Sequence, residues 1–366
     1  MAFQILNLWA FSSDSFILEI NILKTKLLTP AFILLLLGGF YFYGSSDKAF
    51  QYKGLKMKGL SLVAPPKEVD TTCFHSIQNV NADWVSLMPY AFVPKESAKV
   101  RFQIDTTKKH QWWGETPAGV KRCIEMAHSK GIKVMLKPHL WLGWGQFTGD
   151  LDFKKESDWK IFEDSFKDYI LTFARLAESE KVEVFCIATE MGSHVQGREA
   201  YWFSLISEIK KVYKGKLTYA ENWDCFDKVP FWNELDFIGV DGYFPLSDER
   251  EPSKNQLNQG WKTHLKKLDK YAAKHQKSIL FTEIGYRSND YSTEKPWETD
   301  YSKPKNENVQ AIAYQSFFES AWKQPWCAGA FIWKWFPSEI DHFHERETFS
   351  PQGKIAEKVL GEHYGK

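Results

Sequence analysis

The chain's 366 residues allow one large domain or two ordinary ones, and 43% hydrophobic with 25% charged residues is the balance of a chain that buries a core. Its 47 Lys and Arg are matched by 46 Asp and Glu, for a net charge of +1, and no long basic block breaks that match. Composition therefore makes no electrostatic case for nucleic acid as a partner.

Residues 1–26 read as an N-terminal extension. From Leu27 to Ser46 no charged residue occurs, and Lys24 and Lys26 precede the run. Such a stretch is long enough to cross a bilayer once as a hydrophobic helix. A transmembrane anchor is expected at 27–46, with a signal segment as the alternative; the long preceding segment and the lack of a small-x-small cleavage site favour the anchor. Lysines on both sides leave its orientation open. Residues 47–55 are a linker, and 56–366 form a single domain.

From there the chain alternates apolar runs with helical patterns. The first strand is Met57 to Ala64, followed by a helix near Thr71 to Asn79. The second is Trp84 to Tyr90, with a loop carrying Trp112 and Trp113, then a helix from Pro117 to Lys130 stopped by Gly131. The third is Lys133 to His139, with Trp144 beyond it and a helix from Ser157 to about Ser179. The fourth, Val184 to Glu190, leads to a helix from Arg198 to about Tyr213, and the fifth, Leu217 to Asn222, runs into Trp223. The sixth is Phe237 to Tyr243, with a helix near Trp261 to His275. The seventh ends at Glu283, and a helix near Asn308 to Lys323 leads to the eighth, Ala328 to Trp335; a helix near Gly353 to Leu360 ends the series.

Eight strand–helix units on this scale predict an α/β fold, a (β/α)8 or TIM barrel, as a single catalytic domain after the N-terminal hydrophobic helix. A doubly wound open sheet shows the same alternation but normally carries a glycine-rich phosphate turn after its first strand. Here that strand ends Val-Ala-Pro-Pro66, and Gly143-Trp-Gly145 does not complete the fingerprint. Metal chemistry is disfavoured, because His139 is alone on its strand and Asp341-His-Phe-His344 has no matching cluster. No cofactor is expected. Five scattered cysteines without a CxxC pair predict neither a zinc site nor a disulfide framework.

Two apolar strands end in carboxylates: Val184-Phe-Cys-Ile-Ala-Thr-Glu190 and Ile279-Leu-Phe-Thr-Glu283. In a closed barrel both rise at the same rim, where barrel enzymes hold their chemistry. A proton donor paired with a second carboxylate is what hydrolysis of a glycosidic bond requires. Glu221 and Asp241, taken singly, read as structural hydrogen-bonding groups. Trp112, Trp113, Trp144 and Trp223 follow barrel strands, and as a group they suggest a cleft for a β-linked glycan. Lys334 and Arg287 either bind sugar hydroxyls or neutralise the carboxylates.

The stretches Ile187-Ala-Thr-Glu-Met191, Asp236-Phe-Ile-Gly-Val-Asp-Gly-Tyr243, Phe281-Thr-Glu-Ile-Gly-Tyr286 and Phe331-Ile-Trp-Lys-Trp335 carry a resemblance. They look like the clan A retaining glycosidases, and from Lys56 to Gly361 the chain resembles glycoside hydrolase family 113, the β-mannanase-like barrels. The resemblance implies that Glu190 is the acid/base and Glu283 the nucleophile, that Tyr243 hydrogen-bonds the nucleophile and that Trp333 floors the sugar. Where many clan A enzymes have Asn before the acid/base, this chain has Thr189; His139 or Asn222 is the substitute grip on the 2-hydroxyl.

The expected function is a retaining glycosidase acting on β-1,4-mannan or glucomannan, the sugar resting on the resemblance alone. The alternative is a catalytically silent, membrane-anchored carbohydrate-binding barrel, and a third is a barrel that uses its glutamates for proton abstraction. A monomer is expected, membrane-anchored with its catalytic domain outside the cytoplasm, or else secreted or periplasmic.

Overall fold

The structure, a computed structural model, describes residues 50–102, 112–143, 146–298, 300–337 and 348–366. The apolar run at 27–46 lies outside them, as do Trp144 and the Asp341-His-Phe-His344 run. Among the described residues no helix is long and apolar enough to cross a membrane.

The strands, in chain order, are β1 (Met57–Leu62), β2 (Trp84–Leu87), β3 (Tyr90–Val93), β4 (Lys133–Leu136), β5 (His139–Leu142), β6 (Val184–Thr189), β7 (Lys216–Asn222), β8 (Ile238–Asp241), β9 (Ile279–Ile284) and β10 (Cys327–Trp335). The helices are α1 (His75–Asn79), α2 (Pro117–Ser129), α3 (Glu156–Ser179), α4 (Gly192–Gly197), α5 (Glu199–Val212), α6 (Lys254–His275), α7 (Glu307–Glu319) and α8 (Ile355–Tyr364). Strands β1, β2, β4, β6, β7, β8, β9 and β10 close in that order into a parallel barrel, β10 pairing back onto β1. This is the expected (β/α)8 architecture.

Alternation along the strands builds two cores. Val184 joins Met57, Trp84, Met135, Leu280 and Phe331 in a smaller cluster, while Phe185 and Ile187 join the larger core shared with the helices. Successive strand residues point to opposite faces, so each apolar run is buried on both. Helix boundaries follow capping chemistry. Thr116 Oγ1 accepts the Gly119 N–H at 3.0 Å before α2, and Gly131, at φ +72°, takes the left-handed turn beyond it. Helix α6 begins at Lys254 rather than near Trp261, because Ser253 and Gln256 form a capping box that starts it in a polar stretch.

The second and third expected strands each divide at a proline. Beyond Pro89 and Pro138 the chain leaves the barrel ladder, and β3 pairs with β5 as a separate two-stranded parallel ribbon. Proline has no N–H to donate, which confines it to such breaks. The ribbon is still tied to the barrel: His139 N–H donates to the Pro89 carbonyl at 2.9 Å, and the Tyr169 hydroxyl donates to the Pro89 and His139 carbonyls.

The Phe331 ring meets Trp84 edge-on at 6.3 Å and is fully buried. Phe331→Ala should lose about 3–5 kcal/mol of stability, read as a lower urea midpoint at unchanged m-value. A loss under roughly 1 kcal/mol would mean that this part of the barrel is not close-packed.

Candidate active site

Three strands carry an extra residue next to a side chain of interest. Cys186 pairs with Thr218 but Thr189 with Ala220, so β6 advances farther than β7 just before Glu190. Val240 pairs with Phe281 and Asp241 with Glu283, so β9 gains a residue at Thr282. Leu60 pairs with Ile332 but Leu62 with Trp335, so β10 gains one around Trp333. A bulge bends its strand and re-aims the side chains beside it. It explains how the consecutive residues Thr282 and Glu283 both reach partners inside the barrel mouth.

Those partners centre on Lys137, which follows β4 and is fully buried. Its ammonium donates to Glu283 Oε1 at 2.5 Å and to both Asp241 carboxylate oxygens at 3.1 and 3.3 Å. Burial alone depresses a lysine's proton affinity; here the Asp241 and Glu283 charges more than reverse that and hold Lys137 above its ordinary range. The Tyr243 hydroxyl donates to Glu283 Oε2 at 2.6 Å, and the Thr282 hydroxyl to Asp241 Oδ1 at 2.7 Å. Burial and the Glu283 charge push the Tyr243 phenol well above its usual range, so it stays a donor. Burial, then the neighbouring Glu283 charge, raises the Asp241 carboxyl to about 7. His139 Nε2 lies 3.7 Å from Glu283 Oε1, but burial and the Lys137 charge keep the imidazole neutral. Among the described residues that buried nitrogen has no hydrogen-bond partner.

Glu190 stands at φ +50°, a left-handed conformation that a non-glycine residue adopts at a cost of about 1–3 kcal/mol. Local hydrogen bonds enforce it. Its own N–H donates to the Ala220 carbonyl at 2.8 Å, and the Met191 N–H donates to the Tyr219 hydroxyl at 2.8 Å. Tyr219 in turn donates to Glu221 Oε2 at 2.9 Å, and Glu221 Oε1 accepts the Asn222 N–H. Although the Glu190 side chain keeps some exposure to the cleft, its carboxyl is pushed well above the usual range, first by desolvation and then by the Asp241 and Glu283 charges. Burial also raises Glu221 to about 7.

Glu190 and Glu283 line one cleft of about 610 Å³ together with Asn222, Trp223, Tyr243 and Trp333. Four lining residues escaped the sequence reasoning: Phe147, Asp224, Trp297 and Phe349. Trp297 stacks on Trp223 with ring centroids 5.6 Å apart. His139 lies at the edge of this site, its ring parallel to Trp333 at 6.1 Å. Arg287 is buried with its guanidinium against the Phe349 ring, behind the lining. Trp112 is exposed and Trp113 packs on the core; neither lines the cleft. Glu221 and Asp241 serve as hydrogen-bonding groups, as their isolated positions suggested. Lys137 was the main omission. A lysine inside an apolar strand run requires a buried carboxylate partner, and that signal was present in Leu136-Lys-Pro-His139.

A parallel barrel that opens an aromatic cleft over paired carboxylates has the architecture of glycosidases, and this chain is one. The model of Glycoside Hydrolase Family 113 matches residues 67–354, and the chain belongs to that family. Among solved structures, a GH113 β-1,4-mannanase is 24% identical, covering 86% of this chain and 100% of that one with a TM-score of 0.72. The GH113 β-mannanase AaManA from Alicyclobacillus acidocaldarius is 23% identical, covering 87% and 99%, with a TM-score of 0.73. A β-glucuronidase from Faecalibacterium prausnitzii is 13% identical, covering 87% of this chain and 51% of that one, with a TM-score of 0.58. At these identities the likeness is one of fold. Among curated proteins none matches.

Lys137→Met would leave Asp241 and Glu283 side by side without their cation, at a cost of about 3–5 kcal/mol. Asp241 already sits at about 7 in the fold against 3.8 for an ordinary aspartate, so the folded state binds its proton more tightly than the unfolded chain does. Stability from such a group is present at acid pH and lost as pH rises through the folded value. Urea unfolding at about pH 5 and pH 8 should therefore show the larger deficit at pH 8. Equal deficits would discard the buried-charge explanation.

Proposed function

We propose that the protein is a retaining β-glycosidase that cleaves β-1,4-mannan or glucomannan by double displacement, with Glu283 as nucleophile and Glu190 as acid/base. The observation that carries this is the unequal treatment of two carboxyls in one cleft. Lys137 and Tyr243 each donate a hydrogen bond to Glu283, whereas burial and neighbouring negative charge raise the proton affinity of Glu190.

In the first step Glu283 forms a bond to the anomeric carbon as the glycosidic bond breaks, and the Glu190 proton passes to the departing oxygen. Esterification removes the charge on Glu283. Because that charge is one of the causes raising Glu190, its loss lowers the proton affinity of Glu190. Glu190 then takes a proton from water, whose oxygen attacks the anomeric carbon and releases Glu283. His139 Nε2, buried beside Glu283 and without a hydrogen-bond partner among the described residues, is the group offered to the sugar's 2-hydroxyl, with Asn222 as the second candidate. Trp333 floors the sugar at the cleavage point.

The choice of mannan rests on what the names of the similar structures state, two of them β-mannanases. A neutral sugar is supported by the described lining, which includes the carboxyls of Glu190, Glu283 and Asp224. A uronic acid would meet carboxylates there. The apolar run at 27–46 supports a membrane tether with the enzyme outside the cytoplasm, where polymers are found; the intact protein recovered only from soluble cytosol would overturn that part.

Hydrolysis of β-mannan, glucomannan, cellulose and xylan oligomers, with Glu190→Gln and Glu283→Gln beside the unaltered chain, tests the proposal. Mannan oligomers should be cut with retained anomeric configuration by proton NMR, and each variant should lose roughly a hundredfold or more in rate. Inverted product would remove the double displacement. Binding without cleavage of any oligomer would leave the silent carbohydrate-binding barrel instead.

A further inference from the structure

The ribbon formed by β3 and β5 presents an aromatic face that the mechanism above does not use. Tyr90 pairs with His139 and Phe92 with Trp141. Period-two alternation puts these four residues on one face, while Ala91, Val93 and Leu142 are buried on the other. Phe92 is 42% exposed and Trp141 52%, directly across from each other. Single exposed aromatics are ordinary on a protein surface; adjacent ones that continue a catalytic cleft are not.

The face joins the catalytic centre through a row of ring contacts. Trp333 stacks on His139, His139 lies 4.9 Å from Tyr90, and Tyr90 meets Trp141 edge-on at 6.4 Å. The ribbon is also rigid. On its outer edge Phe92 and Arg101 exchange two backbone hydrogen bonds of 2.8 Å, and Tyr169 pins the start of both strands from beneath. In barrel order, β2 and β4, from which the ribbon rises, lie across the mouth from β8 and β9, and the Trp223–Trp297 stack belongs to that far side. Aromatic surface therefore flanks the two glutamates on opposite sides.

We propose that the Phe92–Trp141 face is a distal sugar-binding platform that continues the cleft, so that a β-linked glycan is held on both sides of the scissile bond and cut within the chain. The occupant is the substrate itself, because the face is continuous with His139 and Trp333 and uncharged aromatic planes match the C–H faces of pyranose rings. The platform is preformed, so little ordering opposes binding. The inference rests on the hydrolase reading above.

The test compares β-1,4-mannotriose and β-1,4-mannohexaose as substrates for the full chain, Trp141→Ala, Trp141→Phe and Phe92→Ala, with thermal melts confirming that the variants fold. For the hexamer, Trp141→Ala should raise KM roughly tenfold with little change in kcat, erasing the kcat/KM advantage of hexamer over trimer. Trp141→Phe should restore most of that advantage, which a merely structural role would not. Product profiles should shift from internal cuts in the unaltered chain toward terminal release in Trp141→Ala. A hexamer advantage that survives both alanine variants overturns the platform while leaving the hydrolase standing. If the unaltered chain cleaves neither mannan oligomer nor the matching cello- and xylo-oligomers, the hydrolase reading fails and takes the platform with it.

Discussion

The arrangement at the barrel mouth depends on the burial of one ammonium. Lys137 has no exposure, and removing a charge from water in this way is tolerated only when well-placed counter-charges surround it. Two carboxylates from adjacent strands, Asp241 and Glu283, do so. The pairing fixes the direction of the Glu283 side chain, and Tyr243 holds its other oxygen. It also leaves the mouth short of positive charge, since Glu190 adds a further carboxyl to a region with one cation already shared. The raised proton affinity of Glu190 is a consequence of that shortage and of burial. Lys137 thus orients Glu283, while desolvation and the Asp241 and Glu283 charges raise Glu190.

Regular strands alone would not bring these groups together. Strict alternation along β9 assigns Phe281 and Glu283 to the same face, and Phe281 packs outward with α7 and the helix layer. The extra residue at Thr282 breaks that parity, so Thr282 can hold Asp241 while Glu283 meets Lys137. On β6 the corresponding irregularity precedes Glu190, whose left-handed backbone completes the turn into the cleft. The Tyr219 hydroxyl, bonded to both Met191 N–H and Glu221, supplies the rigidity that holds that conformation. Glu221 is therefore joined to the turn that carries Glu190 through Tyr219.

What was legible in the sequence follows from this division. Apolar runs ending in Glu190 and Glu283, and the strand-then-Tyr pattern before Tyr243, survive any register, so the barrel and the meeting of these two glutamates in one cleft could be read directly. A bulge leaves no such trace, because one extra residue in an apolar run changes neither composition nor length noticeably. Lys137 was legible in principle: a lysine two positions beyond Met135 shares its inward face. It falls within the expected third strand, Lys133 to His139, where a charged side chain in an apolar run needs a counter-charge. Trp297 was not legible, because its stacking on Trp223 is made by long excursions from different strands. Trp113 failed in the opposite sense, since a loop tryptophan after a barrel strand looked like cleft and packs on the core instead.

The two prolines connect these levels. Pro89 and Pro138 end the barrel pairing of β2 and β4 at matching heights, and the chain beyond them re-pairs as the aromatic ribbon. Lys137 immediately precedes one break and His139 immediately follows it. The residues that hold Glu283 and those that form the outer aromatic face are therefore successive positions of one short segment, with Tyr169 fastening both strands from below. A glycan resting on Trp141 would be aligned by the same backbone that carries Lys137 and so orients Glu283. Its position relative to Glu283 would then be set by the three residues between Lys137 and Trp141, which is a stiffer ruler than any loop at the rim.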